Sequence, residues 1–61
     1  MKELDLVILI QEFNNLSKGT KGTIVHKYDD SMFEVEFFDD NGNTIDVITT
    51  PKQVLGELLR Y

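Results

Sequence analysis

Residues 33–50 read "FEVEFFDDNGNTIDVITT", and no other stretch limits the fold so tightly. Phe33, Val35 and Phe37 alternate with Glu34 and Glu36, a period of two that suits a half-buried strand with its aromatic side inward and its carboxylates and Phe38 outward. Asn41-Gly42 then predicts a hairpin with a type I′ turn, because both central positions of that turn need positive φ. The following run, residues 44–50, is β-branched again, with Ile45, Val47 and Thr49 expected on the inner face and Asp46 and Ile48 on the outer. Pro51 has no amide donor and ends the ladder.

The remaining chain extends this β pattern. Residues 4–10, "LDLVILI", carry Leu4, Leu6, Ile8 and Ile10 on one strand face and Val7 and Leu9 on the other, so both faces need cover. One face fills a core, and the other meets a loop, a terminal segment or another chain, which makes weak homo-oligomerisation through this first strand an expectation. A loop of about eight residues follows, pinned by Phe13 and Leu16. Ser17-Lys18-Gly19-Thr20 suits a type II turn with Gly19 at its positive-φ position, and Gly22 marks a bulge or a close approach of backbones. No helix follows these glycines, so they are turn residues and not a phosphate cradle. Residues 23–28 form the next strand, and Pro51 is followed by one helical turn around residues 52–55 and a last short strand at residues 57–60. Five short strands with one long loop and tight later hairpins predict a small, bent, partly open barrel.

With 61 residues the chain is expected to be a single domain, residues 1–61, too small for a large enclosed pocket. It has no cysteine, which excludes a disulfide framework and a thiolate metal site. The N-terminal apolar run is short and preceded by Glu3 and Asp5 where a signal peptide is basic, so a cytoplasmic protein that does not enter the membrane is expected. The formal net charge is −5, from eleven acids and six bases. Seven of those acids (Asp29, Asp30, Glu34, Glu36, Asp39, Asp40 and Asp46) fall in an interval without one Lys or Arg. Such a surface repels phosphate and attracts basic surfaces.

Catalytic chemistry finds little support. His26 is the single histidine, and nothing in the spacing sets Ser17 or Ser31 beside it as a nucleophile. The "DDNGNT" run lacks the Gly and the bidentate Glu that a calcium loop needs where Thr44 and Thr50 stand. We therefore expect no catalytic residue, no metal and no cofactor. Phe33 and Phe37 belong to the core by alternation, whereas Phe13, Tyr28, Phe38 and Tyr61 sit in loops or at strand ends.

Several segments together resemble a known family. The Asp5-x-Val7 entry, the turn of Gly19, Gly22, Thr23, Ile24 and Val25, the strand from Phe33 to Phe37, and the hairpin of Asp39 and Gly42 ending in Thr49 are similar, over nearly the whole chain, to small bacterial proteins classed as a domain of unknown function, the DUF4926 type. The resemblance implies an all-β fold, a five-stranded SH3-like (KOW-like) barrel with one short helical turn before the last strand. It implies no established activity, but members look like small partners encoded beside larger proteins, some of them toxin-like. The expected function is thus a non-enzymatic protein-binding module whose acidic surface binds a basic protein, the resemblance implying an antitoxin- or immunity-like role as one form of it. Its expected partner-binding residues are Tyr28, Glu34, Glu36, Phe38, Asp39 and Asp46. The alternative is a KOW-like domain associated with nucleic acid or ribonucleoprotein, which the fold suits and the charge does not.

Overall fold

The computed structural model describes residues 1–58 and contains five strands, β1 (Leu6–Leu9), β2 (Lys21–Lys27), β3 (Met32–Phe38), β4 (Thr44–Pro51) and β5 (Leu55–Glu57), with a 3₁₀ turn, η1 (Lys52–Val54), before the last. All neighbours are antiparallel, in the order β4-β3-β2-β1-β5. η1 carries the chain from one edge of the sheet to the other, so the sheet curls on itself as a small SH3-like barrel whose β4 and β5 edges pair with no further strand among the described residues. Among the described residues no helix is long and apolar enough to cross a membrane.

The core follows from side-chain alternation. Val7 and Leu9 of β1, Ile24 of β2, and Phe33, Val35 and Phe37 of β3 are buried, the last three as their alternation with glutamates predicts. Gly22 is buried too, between Val7 and Phe37 in register. A Cβ there would lie 2.6 Å from Val35 Cγ1 and 3.0 Å from the Glu36 carbonyl oxygen, so the close approach of β2 and β3 admits only glycine.

Strand β4 corrects the expected core. Ile45 and Val47 are 49% and 46% exposed, while Ile48 packs against the core and Thr50 is fully buried. The cause is register: Val35 stands opposite Ile48, Phe33 opposite Thr50, and Phe37 opposite Asp46. The ladder shifts between Phe37 and Phe38, whose partner is Thr44, so Ile45 is an inserted bulge residue. Asp46 lies on the inward side yet is exposed, because this end of the edge strand has left the core. Val54 of η1 and Leu55 of β5 are buried and join the core cluster in which Ile45 and Val47 take no part. Thr50 satisfies its buried hydroxyl by donating to the Ile48 carbonyl at 2.9 Å.

Turn chemistry accounts for the connections. Gly19 has φ of 96°, and Thr20 N–H donates to the Ser17 carbonyl at 3.1 Å, in keeping with the expected type II turn. The type I′ geometry lies elsewhere than expected. Phe13 and Leu16 exchange both backbone hydrogen bonds around Asn14 and Asn15, whose φ values are 53° and 68°. In the β3–β4 hairpin only Gly42 has positive φ, 84°, and Gly42 N–H donates to the Asp39 carbonyl. That is the three-residue loop with glycine at its bulge, favoured because the Asp39 carboxylate accepts the Asn41 and Asn43 amides at 2.9 Å each.

The chain ends also depart from expectation. Strand β1 spans four residues, because Leu4 adopts φ of 74° in a preceding turn and is exposed. The last strand starts at Leu55 and not at Glu57, while Leu59, Arg60 and Tyr61 lie outside the described residues. Because β1 pairs with β5, the Met1 ammonium comes within 3.3 Å of Glu57 Oε1.

Candidate functional site: an acidic sheet face

Strand β3 turns Phe33, Val35 and Phe37 to the core, so Met32, Glu34, Glu36 and Phe38 emerge on the outer face, all half-buried. In register beside them stand Thr23 and His26 of β2, and Val47 and Thr49 of β4. Lys21 stands opposite Phe38 at one end. Tyr28 follows β2 directly and is exposed.

The two carboxylates are held by neighbouring hydroxyls. Glu34 Oε1 accepts from Thr49 Oγ1 at 2.7 Å and from Tyr28 Oη at 3.1 Å, while Glu36 Oε2 accepts from Thr44 Oγ1 at 2.5 Å. Hydrogen bonds to the ionised form fix each carboxylate while leaving its other oxygen free to accept. Among the described residues the ion pairs are Met1 with Glu57, His26 with Glu3 at 3.6 Å, and Lys27 with Asp30 at 3.3 Å. No cation of the described residues is thus paired with Glu34 or Glu36. Tyr28 also packs edge-on against His26, with ring centroids 4.7 Å apart, which sets the angle of the phenol that reaches Glu34.

Of the six expected partner-binding residues, Tyr28, Glu34, Glu36 and Phe38 therefore share one face. Asp39 does not join them, because its carboxylate is turned into the hairpin. Asp46 points to the Phe37 side of the sheet and accepts the Val47 amide at 2.8 Å. Sequence reasoning missed Thr44, Thr49 and Val47, which complete the face. Their signal is cross-strand pairing, of Thr49 with Glu34, Val47 with Glu36 and Thr44 with Phe38, which becomes visible only once the bulge at Ile45 is placed.

Two further features border this face. The Asp29 carboxylate closes the β2–β3 turn by accepting the Ser31 and Met32 amides, each at 2.8 Å, and the Ser31 hydroxyl at 3.2 Å. The Ser31 amide chiefly, and then the Met32 amide, hold its pKa below the ordinary carboxylate value. Beyond Glu34, residues Ser31, Met32, Pro51, Lys52, Gln53 and Leu55 line an open groove of about 550 Å³ beside η1. Among the described residues no group of three or more His, Cys, Asp or Glu is placed to hold a metal ion.

Fold and face together define a small all-β barrel domain whose sheet displays two hydrogen-bonded carboxylates that pair with no cation among the described residues. Its family follows from a model described as Domain of unknown function (DUF4926), which matches residues 3–56, and the chain belongs to that family. No curated protein and no solved structure gives a match.

Proposed function

We propose that the protein is a non-enzymatic cytoplasmic binding module whose β2–β3–β4 outer face docks a basic surface of another protein. An antitoxin- or immunity-like role, neutralising a basic partner, is the form of this reading we favour. The observation that carries it is the pair Glu34 and Glu36, oriented by Tyr28, Thr44 and Thr49 and lacking a cation among the described residues. Fixed charges of one sign accelerate encounter with a complementary surface, and partly buried aromatics beside them supply the persistence of the complex. Half-buried Phe38 stands in such a position, and the exposed Tyr28 lies beside Glu34 at the other end of the face. A nucleic-acid role suits the barrel less well, because phosphate contacts dominate such binding and this face offers two carboxylates to a phosphate.

Partner capture on the immobilised protein, followed by surface-based kinetics, tests the reading. Glu34→Lys combined with Glu36→Lys is expected to slow association by about tenfold at low salt and to flatten its salt dependence, since exposed charges act over about 8–10 Å at moderate ionic strength. Phe38→Ala is expected to speed dissociation at any salt. An unchanged association rate in the double reversal overturns the proposal, and retardation of duplex DNA or RNA at low salt would favour the nucleic-acid reading.

A further inference from the structure

The outer face of β3 and β4 is a ladder of opposed residues in fixed order: Met32 with Pro51, Glu34 with Thr49, Glu36 with Val47, and Phe38 with Thr44. Met32 and Pro51 also line the groove beside η1, where Leu55 is buried at 5% exposure. Groove and carboxylates thus form one continuous strip. Alternate residues of a strand are spaced by about 6.7 Å, so Met32, Glu34 and Glu36 mark three positions at equal steps. An extended segment laid along the strip presents its own alternate side chains at the same step.

We infer that this strip binds an extended segment of the partner with the pattern apolar–any–Lys–any–Lys, or Arg in place of Lys. The apolar side chain enters the groove against Met32, Pro51 and Leu55, and the two cations meet Glu34 and Glu36. This deepens the acidic-face reading given above and rests on it. Charge fixes the order: Lys52 stands at the groove rim with no ion-pair partner among the described residues, which disfavours a cation there, while the two carboxylates favour cations at the next two steps. A second copy of this chain is a poor occupant, because each copy carries a net charge of −5 and the strip would meet like charge. The segment lies over the face and does not extend the sheet. On the free edge of β4, Pro51 has no N–H to offer and the Val47 N–H is taken by Asp46.

The test uses the ¹⁵N-labelled full chain and three synthetic peptides at about 0.15 M salt, where weak long-range attraction is screened. These are Ser-Leu-Ser-Lys-Ser-Lys-Ser, the same composition with adjacent lysines (Ser-Leu-Ser-Lys-Lys-Ser-Ser), and the first peptide with Gly replacing Leu. The first is expected to shift the amides of Met32, Glu34, Glu36 and Leu55 and to bind about tenfold more tightly than either other peptide. In Glu34→Gln with Glu36→Gln, whose spectrum reports that the fold is kept, that preference for alternate lysines is expected to vanish. Equal affinity of all three peptides through Glu34 and Glu36 overturns the strip and leaves the acidic-face reading standing. If none of them perturbs Glu34 or Glu36, the strip falls, and the acidic-face reading is decided separately by the association rate of the double charge reversal. Dimerisation of the unliganded chain through this face, seen by sedimentation, would assign the strip to a second copy and overturn the inference.

Discussion

Individual residues decide how tightly this barrel can close. Gly22 is the sharpest case: the Cβ of Gly22→Ala would sit 2.6 Å from Val35 Cγ1 and 3.0 Å from Phe37 Cδ1. Both neighbours are wholly buried, so the strain has no route to solvent and is expected to cost about 1–3 kcal/mol, read by urea denaturation. A variant as stable as the parent would show that β2 and β3 can separate freely. Asp29 acts through charge instead of volume. Its carboxyl has a lower pKa in the folded chain than in the unfolded one, so its contribution is present above the unfolded value and is lost as pH falls through the folded value. Asp29→Asn is therefore expected to melt at a lower temperature than the parent at neutral pH, with the gap narrowing at about pH 2. A gap that is constant across pH would assign the effect to shape and not to ionisation.

At the scale of elements, β3 and β4 show when alternation can be read and when it cannot. β3 carries glutamates between aromatic and aliphatic residues, so its inner face was legible. β4 offers β-branched side chains on both faces, and its one acid, Asp46, falls on the inward side where the strand has already left the core. A reading that takes Asp46 as an outward marker puts the whole strand in the wrong phase. Paired substitutions decide the register. Ile48→Ala, which removes a side chain packed on the core, is expected to cost about 1–3 kcal/mol, whereas Val47→Ala on the exposed face should stay within about 0.5 kcal/mol. Chemical denaturation that ranked the two in the opposite order would restore the inward assignment of Val47. The loops follow the same logic. Asn14-Asn15 forms the type I′ turn without glycine, a weak signal by itself, while Asn41-Gly42 carries the strong signal and is diverted by the preceding Asp39 carboxylate.

For the whole molecule, the number of strands and the helical turn after Pro51 are legible in the sequence, because hairpin signals and Pro51 punctuate the chain at nearly every connection, whereas the order of the strands in the sheet is not. The face was half legible. Glu34 and Glu36 were placed by alternation within one strand, but the threonines that hold them arrive from β4, and their position depends on a single inserted residue in the ladder. Asp39 and Asp46 look in the sequence like members of the acidic face because a charge run is linear and says nothing about which side of a sheet each residue takes. One consequence of the architecture concerns connectivity. Strands β1 and β5 lie side by side, and the Met1 ammonium touches Glu57, so the chain begins beside its last strand. The barrel is in this sense nearly a closed circuit whose covalent opening is a matter of choice. A permuted polypeptide that joined Leu58 to Met1 by a short linker and opened between Asn41 and Gly42 would keep the strand pairs described above, and would free two new ends at the far hairpin for fusion to another protein.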